Sequence, residues 1–263
     1  MYATRYIRAK DVADAQKQLH EATEGKLLAG GMTLIPTLKQ RLAAPDCLVD
    51  LADVGLREIT DKGTHIEIGA MARHVEVERS ALIRQDLPVL SQLAGQIGDR
   101  QVRNCGTIGG SVANNDPAAC YPAAVLGLSA SIHTNKRTLA ADDFFTGLFE
   151  TALEENEIIT AISFPKIKKA SYAKFPNPAS RYAMVGVFVA RMADKVQLAI
   201  TGAGQDGVFR HAGLEAALNA DFSADNVDKT NIESDNLMSD MHASADYRAH
   251  LIKAMAKKAI SGC

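Results

Sequence analysis

Two pairs of adjacent glycines have the type and spacing best suited to ligand chemistry: Gly30–Gly31 in "LLAGGMTLIP" and Gly109–Gly110 in "TIGGSVANNDPAA". A glycine pair lets the backbone enter positive-φ conformations and lets a ligand approach where a Cβ would otherwise stand. Successive amide N–H groups in such a turn form a concave anion site. A helix starting just beyond it adds unpaired N–H groups and the positive end of its dipole. Gly30–Gly31 precedes a helix expected to begin at Thr33. Gly109–Gly110 precedes an apolar helix expected from Pro117 and is flanked by the hydroxyls of Thr107 and Ser111. Two such loops suit the two halves of one pyrophosphate. Either loop alone is explained as well by a structural turn, with Asp116-Pro117 as a helix start. Both together favour a dinucleotide.

Beside the second pair, Asn114, Asn115 and Asp116 offer donors and acceptors suited to sugar hydroxyls or a flavin ring edge. A third pattern, "GAGQDG" at Gly202–Gly207, fits GxGxxG. The strands before it read as an antiparallel meander rather than βαβ, so a hairpin or turn is expected there. "HEATE" at His20 carries Glu24 where an HExxH zinc site needs its second histidine. Cys47, Cys105, Cys120 and Cys263 are dispersed without a CxxC pair, and the seven histidines lack ligand spacing, so no metal site is expected. There is no GxSxG. The acid pairs Asp142–Asp143 and Glu154–Glu155 read as solvated faces. These residues describe a place to hold a cofactor and no protein-borne catalyst.

The elements that position the loops can be read from periodicity. Asp11 caps a helix with Val12, Ala15 and Leu19 on one face, "KLLAG" is a short strand, Thr33 to Leu42 a helix with Pro36 in its first turn, and "CLVDL" a strand. This is a βαβ crossover. "HIEIGA" is a strand, "HVEVERS" a short helix, and "LPVLSQLAGQIGDR" a helix stopped near Gly98. A strand near "SASIHT" and another in "NEIITAISFP" complete a mixed region. After "PKIKKA" the style changes to three consecutive strands, "SYAKF", "YAMVGVFVARM" and "KVQLAITGAG". Two helices, His211 to Ala220 and Ala243 to Ile260, pack on that sheet, with a polar loop between them. The expected boundary lies near Lys169.

The 263 residues are 47% apolar and 23% charged, enough for a sizeable core, and the formal net charge of -2 gives no electrostatic reason to expect nucleic acid. No apolar stretch is long enough to span a bilayer, and the N-terminus lacks a secretory h-region. A cytoplasmic protein is expected, with peripheral attachment at the inner face of the membrane left open.

"AGGMTLIP" and "VRNCGTIGGSVANNDPAA" resemble the two FAD-binding loops of the medium, flavoprotein subunits of molybdenum hydroxylases, the carbon monoxide dehydrogenase and xanthine dehydrogenase family. The likeness continues through "DDFFTGLFETALEENEIITAISFP" and "YAKFPNPASRYAMVGVFVA" and resumes in "HASADYRAHLIKAMAKKAI". It implies an α+β chain. A two-subdomain FAD-binding fold of the vanillyl-alcohol oxidase-like type would span residues 1–168 (subdomains about 1–55 and 56–168). A smaller α+β domain with antiparallel sheet would span 169–263. It implies that Ala29, Gly30, Gly31, Met32, Thr33 and Leu34, with Thr107, Ile108, Gly109, Gly110 and Ser111, hold the FAD pyrophosphate mainly through backbone amides. Asn114 and Asp116 would lie beside the dinucleotide, Ile97 would pack on the isoalloxazine, Ile159 would sit at the ring edge, and Lys174 would make a polar contact to the ring. Met32 stands where relatives often have a histidine or other polar residue, and Cys120 where many carry an aspartate.

The resemblance further implies an electron-transfer role without a catalytic acid or base in this chain. A small subunit would carry two 2Fe-2S clusters and a large subunit the molybdopterin-bound molybdenum. The heterotrimer would be able to double, and an external acceptor would take electrons from FAD. Three other readings stay open on the residues alone: a stand-alone flavin oxidoreductase with its own substrate site, a FAD-less scaffold subunit, and an NAD module built on "GAGQDG".

Overall fold

A computed structural model describes all 263 residues. The chain opens with strand β1 (Arg5–Arg8). The Asp11 carboxylate then accepts the Asp14 N–H at 2.8 Å and starts helix α1 (Val12–Glu21), which buries Ala15 and Leu19. Strand β2 (Gly25–Leu28), helix α2 (Leu34–Lys39) and strand β3 (Cys47–Asp50) follow. β2 and β3 pair in parallel, as the βαβ pattern requires, and β1 adds in parallel on the other side of β3. β1 escapes sequence reading because "RYIR" has no apolar alternation. α2 ends short of the expected Leu42. Arg41 takes the left-handed conformation (φ 60°), and the amides of Arg41 and Leu42 return to the carbonyls of Leu38 and Thr37, closing the helix in a Schellman pattern.

The second region begins with strands β4 (Ile59–Asp61) and β5 (His65–Gly69). A run of short helices follows: α3 (His74–Arg79), α4 (Ala81–Asp86), α5 (Pro88–Gly95), α6 (Arg100–Cys105), α7 (Ile108–Asn114) and α8 (Tyr121–Gly127). Then come β6 (Ser131–Thr134), β7 (Thr138–Ala140), α9 (Ala141–Phe144), the β8 (Phe145–Gly147) and β9 (Glu150–Thr151) hairpin, and β10 (Ile159–Pro165). Five of these strands form an antiparallel sheet in the order β4-β5-β10-β6-β7. Ile66, Ile68, Ile132 and Ile162 point from it into a core shared with Leu90, Leu93, Tyr121 and Val125 of the helices.

The third region is an antiparallel meander of β11 (Ala170–Pro176), β12 (Ala183–Arg191), β13 (Val196–Gly204) and β14 (Gly207–Arg210). Helices α10 (Ala212–Ala220), α11 (Ala224–Lys229) and α12 (Ala245–Ser261) follow. Its central strands are buried along almost their whole length because both faces are covered, and the polar residues Gln197 and Thr201 on β13 are buried with them. Val185, Val187, Val189, Leu198 and Ile200 face the α10–α12 side, whereas Phe188, Ala190 and Ala199 join the core of the second region. Pleat alternation thus fastens the C-terminal sheet against α8.

Three expectations need correction. Gly109 and Gly110 do not form a turn ahead of a distant helix; they occupy the first turn of α7, which Thr107 caps by accepting the Gly110 N–H at 3.2 Å. The apolar helix starts at Tyr121 rather than Pro117, because the Asp116 carboxylate takes the Ala118 N–H at 2.8 Å and holds 116–119 in a turn. The polar stretch after Ala220 contains α11, anchored by the buried Val227, a single apolar residue too sparse to announce a helix. "GAGQDG" is a hairpin: Gly204 pairs with Gly207 across Gln205–Asp206, which removes the NAD-module reading.

Candidate cofactor site

Residues 29–33 leave the C-terminal end of β2 and enter α2. Gly31 makes the turn at φ +69°, and a Cβ on Gly30 would overlap the Cys105 carbonyl oxygen and lie 2.7 Å from Gly106 Cα. The first loop therefore lies backbone to backbone on the segment that leads into α7. Across this contact, Gly110 faces Ala29. The two loops, far apart in sequence, form one continuous surface.

Six consecutive backbone amides, from Ala29 to Leu34, have no hydrogen-bond acceptor within the chain. Such a run is rare in folded proteins unless water or a ligand completes it. In the second loop the supply is smaller. The Ile108 and Gly109 amides donate to the carbonyls of Ala72 and Ala70, and the Ser111 amide donates to Thr107. Thr107 N–H is left without a partner, Gly110 N–H is held loosely by Thr107 Oγ1 at 3.2 Å, and the Thr107 and Ser111 hydroxyls add donors. α2 and α7 have only six and seven residues. Their dipoles are correspondingly small, and the unpartnered N–H groups themselves carry the anion affinity.

Both loops line a cavity of about 760 Å³, within the usual range for cofactor sites. The structure brings to its wall Ala29, Gly30, Gly31, Met32, Thr33, Leu34, Ile97, Thr107, Gly109, Gly110, Ser111, Asn114, Asp116, Ile159 and Lys174. Ile108 is not among them: its side chain is fully buried in the core. An i to i+1 step on a helix turns the side chain away from its neighbour's face, so the core claims Ile108 while Gly109 and Gly110 face the cavity.

Asn114 and Asn115 divide their work. Asn114 lines the cavity, whereas Asn115 is fully buried, ends α7 at φ 41°, and donates its Nδ2 to the carbonyls of Gly147 and Glu150 at 2.9 and 2.8 Å. Burial raises the Asp116 carboxyl above its ordinary pKa, and the Ala118 amide offsets part of that. The 116–119 turn is tied to β13: Thr201 Oγ1 lies 2.9 Å from the Pro117 carbonyl and 2.7 Å from that of Ala119, and Gly202 N–H donates to Pro117 at 2.7 Å.

Lys174 reaches from β11 over the same cavity. Its Nζ donates to the carbonyls of Gln96 (2.6 Å) and Arg181 (3.0 Å) and lies 3.5 Å from Cys120 Sγ. Sequence reasoning missed three wall residues of note: Lys26, His74 and Tyr182. Lys26 is carried there by β2 and Tyr182 by the approach to β12. His74 gave no signal, because its burial (5% exposed) comes from packing its ring against Tyr121, with centroids 5.3 Å apart. Burial, with a smaller repulsion from Arg103, lowers the His74 pKa to about 4.

The fold and this site define two amide-bearing loops that meet along one cavity, with Lys174 of the C-terminal sheet reaching over it. The family model "FAD binding domain in molybdopterin dehydrogenase" matches residues 2–167. The chain is 31% identical to the nicotine 6-hydroxylase medium subunit of Paenarthrobacter nicotinovorans, over 98% of this chain and 96% of that protein. It is 32% identical to the glyceraldehyde dehydrogenase medium chain of Sulfolobus acidocaldarius, over 97% and 96%. The crystal structure of the Cu,Mo-CO dehydrogenase in its cyanide-inactivated form superposes with a TM-score of 0.88 at 30% identity, covering 98% of this chain and 96% of that one. The chain belongs to the FAD-binding medium subunits of the molybdenum hydroxylases, and its fold is the α+β fold of that family.

It is a FAD-binding oxidoreductase subunit, and FAD is its cofactor. The residues present fit that cofactor. The missing Cβ of Gly30 lets the two loops close into one surface, and the open amides of that surface match a pyrophosphate. This sets aside the FAD-less scaffold. No helix is long and apolar enough to cross a membrane.

Proposed function

We propose that this chain is the electron-transfer subunit of a heterotrimeric molybdenum hydroxylase in the cytoplasm. A small subunit with 2Fe-2S clusters would deliver electrons to it, a large subunit with molybdopterin-bound molybdenum would oxidise the substrate, and an external acceptor would collect the electrons. The heterotrimer would double through a twofold axis. Several relatives are named medium subunits or chains of enzymes that act on different substrates, nicotine, glyceraldehyde and carbon monoxide among them. That diversity at similar identity supports a conserved relay whose substrate is chosen elsewhere in the complex. Bound FAD supplies the redox chemistry, and the protein supplies binding and orientation.

The observation that carries the reading is the run of unpartnered amides from Ala29 to Leu34 laid against the start of α7 along one cavity. These amides, with Thr107 N–H and the Thr107 and Ser111 hydroxyls, would hold the pyrophosphate. Asn114 and Asp116 would receive sugar hydroxyls, and Ile97, Ile159 and Lys174 would surround the ring. Residues 1–168, in two parts meeting near residue 55, would form the FAD domain, and 169–263 the domain that braces it.

The test is purification of the chain with the subunits that accompany it, followed by visible spectroscopy, flavin identification, and iron and molybdenum analysis. FAD with iron, molybdenum and two further polypeptides is expected. FAD on a chain that carries its own substrate activity without those partners would overturn the relay reading. A complex that lacks flavin would overturn the FAD assignment with it.

A further inference from the structure

The link between α5 and α6, residues Gln96, Ile97 and Gly98, presents three successive carbonyls, and each accepts a hydrogen bond from a cationic side chain. Lys174 Nζ takes that of Gln96 at 2.6 Å. Arg103 Nη1 takes those of Ile97 at 3.0 Å and Gly98 at 3.4 Å. Gly98 has φ +49°, so the link is a tight turn. Arg103 is held in turn by Glu78, with Nε 3.0 Å from Oε2 and side chains only 15% and 28% exposed. The Glu78 backbone is itself fixed, because its carbonyl receives Ser91 Oγ at 2.6 Å and Arg84 Nε at 3.0 Å.

The two cations differ in kind. Lys174 has only neutral acceptors, whereas Arg103 forms an ion pair with a carboxylate from a separate helix. A planar guanidinium can keep one edge on a carboxylate while another N–H reaches backbone carbonyls, which a lysine ammonium cannot do in fixed geometry. We infer that Arg103, oriented and neutralised by Glu78, is a positioning residue that fixes the Ile97 wall of the flavin-ring site. It does so by gripping the carbonyls of Ile97 and Gly98 from behind. The inference rests on the placement of the ring at Ile97 proposed above. Because the pair is neutral, it sets the shape of the wall without adding net charge to it. Glu78→Gln would leave the grip partly in place and uncover one positive charge; Arg103→Met would remove both.

The experiment uses the full chain with its accompanying subunits, as wild type and as Arg103→Met, Arg103→Lys, Glu78→Gln and Ile97→Ala. Three quantities are read: the FAD dissociation constant, the flavin reduction potential by dye equilibration, and amide exchange across residues 96–100 in the flavin-free chain. Arg103→Met is expected to speed exchange across that segment and to weaken FAD about tenfold, with Arg103→Lys restoring little of either. Glu78→Gln is expected to raise the potential, since an uncompensated cation favours the electron-rich flavin. Wild-type exchange and potential in both Arg103→Met and Glu78→Gln would overturn the inference. If Ile97→Ala also leaves affinity and potential unchanged, the ring does not lie there and the failure belongs to the site assignment. If Ile97→Ala perturbs them while the Arg103 and Glu78 variants do not, the assignment stands and the positioning role fails.

Discussion

Gly30→Ala tests the cradle most directly. A Cβ on Gly30 would overlap the Cys105 carbonyl oxygen and sit 2.7 Å from Gly106 Cα and 2.8 Å from the Cys105 carbonyl carbon. All three are backbone atoms, so no rotamer change relieves the clash. Contacting carbons normally lie about 3.5–4.0 Å apart, so the two loops must separate by about 1 Å. Overpacking of this kind costs about 1–3 kcal/mol of stability. The displaced loop also carries the six open amides, and a hydrogen bond to a charged group contributes about 1.5–3 kcal/mol. Losing one such bond weakens FAD by about 10- to 150-fold.

The assay is titration of FAD into the flavin-stripped chain by fluorescence quenching, with Tm measured in parallel. Gly95→Ala is the control. There a Cβ would meet only the Glu78 side chain, at 3.5 Å, and Gly95 ends α5 in a helical turn. Alanine there should leave FAD affinity unchanged and stability equal or higher by up to about 1 kcal/mol. A Gly30→Ala chain that binds FAD as tightly as wild type, at the same Tm, would refute the argument that the loop contact places the amides.

Three further outcomes follow from single sites. Folding holds the His74 pKa at about 4, below the ordinary value of 6.5, so the neutral ring contributes stability that is complete above pH 6.5 and lost as pH falls toward 4. The loss is on the order of 3 kcal/mol, and His74→Phe should flatten this part of the stability profile in urea unfolding. Asn115→Ala removes the two bonds to the β8–β9 hairpin and leaves a Cβ-bearing residue at φ 41° without its amide. It should cost about 2–4 kcal/mol by chemical denaturation. Glu157 is fully buried; burial favours its neutral form, but the Arg137 guanidinium, the Glu154 amide and the Thr134 hydroxyl outweigh this and hold its pKa at about 2. Its contribution is therefore present above pH 4.5 and lost toward pH 2. Glu157→Gln should destabilise by about 1–3 kcal/mol, less than a fully buried pair because Arg137 is 39% exposed.

How much was legible follows from which interactions are local. The βαβ unit, the meander and the capped first helix rest on periodicity and on side chains a few residues apart, and these read correctly from Asp11, "CLVDL" and "YAMVGVFVARM". The glycine pairs and the family likeness likewise pointed to FAD. The edge strand β1 and helix α11 did not show, because each owes its existence to a neighbour: β3 supplies the hydrogen bonds of β1, and the α12 core receives Val227.

The sequence by itself determined the class of ligand, through the family likeness of its glycine loops, and the backbone permissiveness of those glycines is a property of residue type at a position. Only the tertiary structure decided how those loops meet. It packs Gly30 on Cys105, turns Ile108 into the core, and directs the Ile108 and Gly109 amides to Ala72 and Ala70. It also reaches across 78 residues to bring Lys174 onto Gln96. Which amides remain open, and which cation grips which carbonyl, depends on partners distant in sequence, and no spacing rule within one segment encodes them.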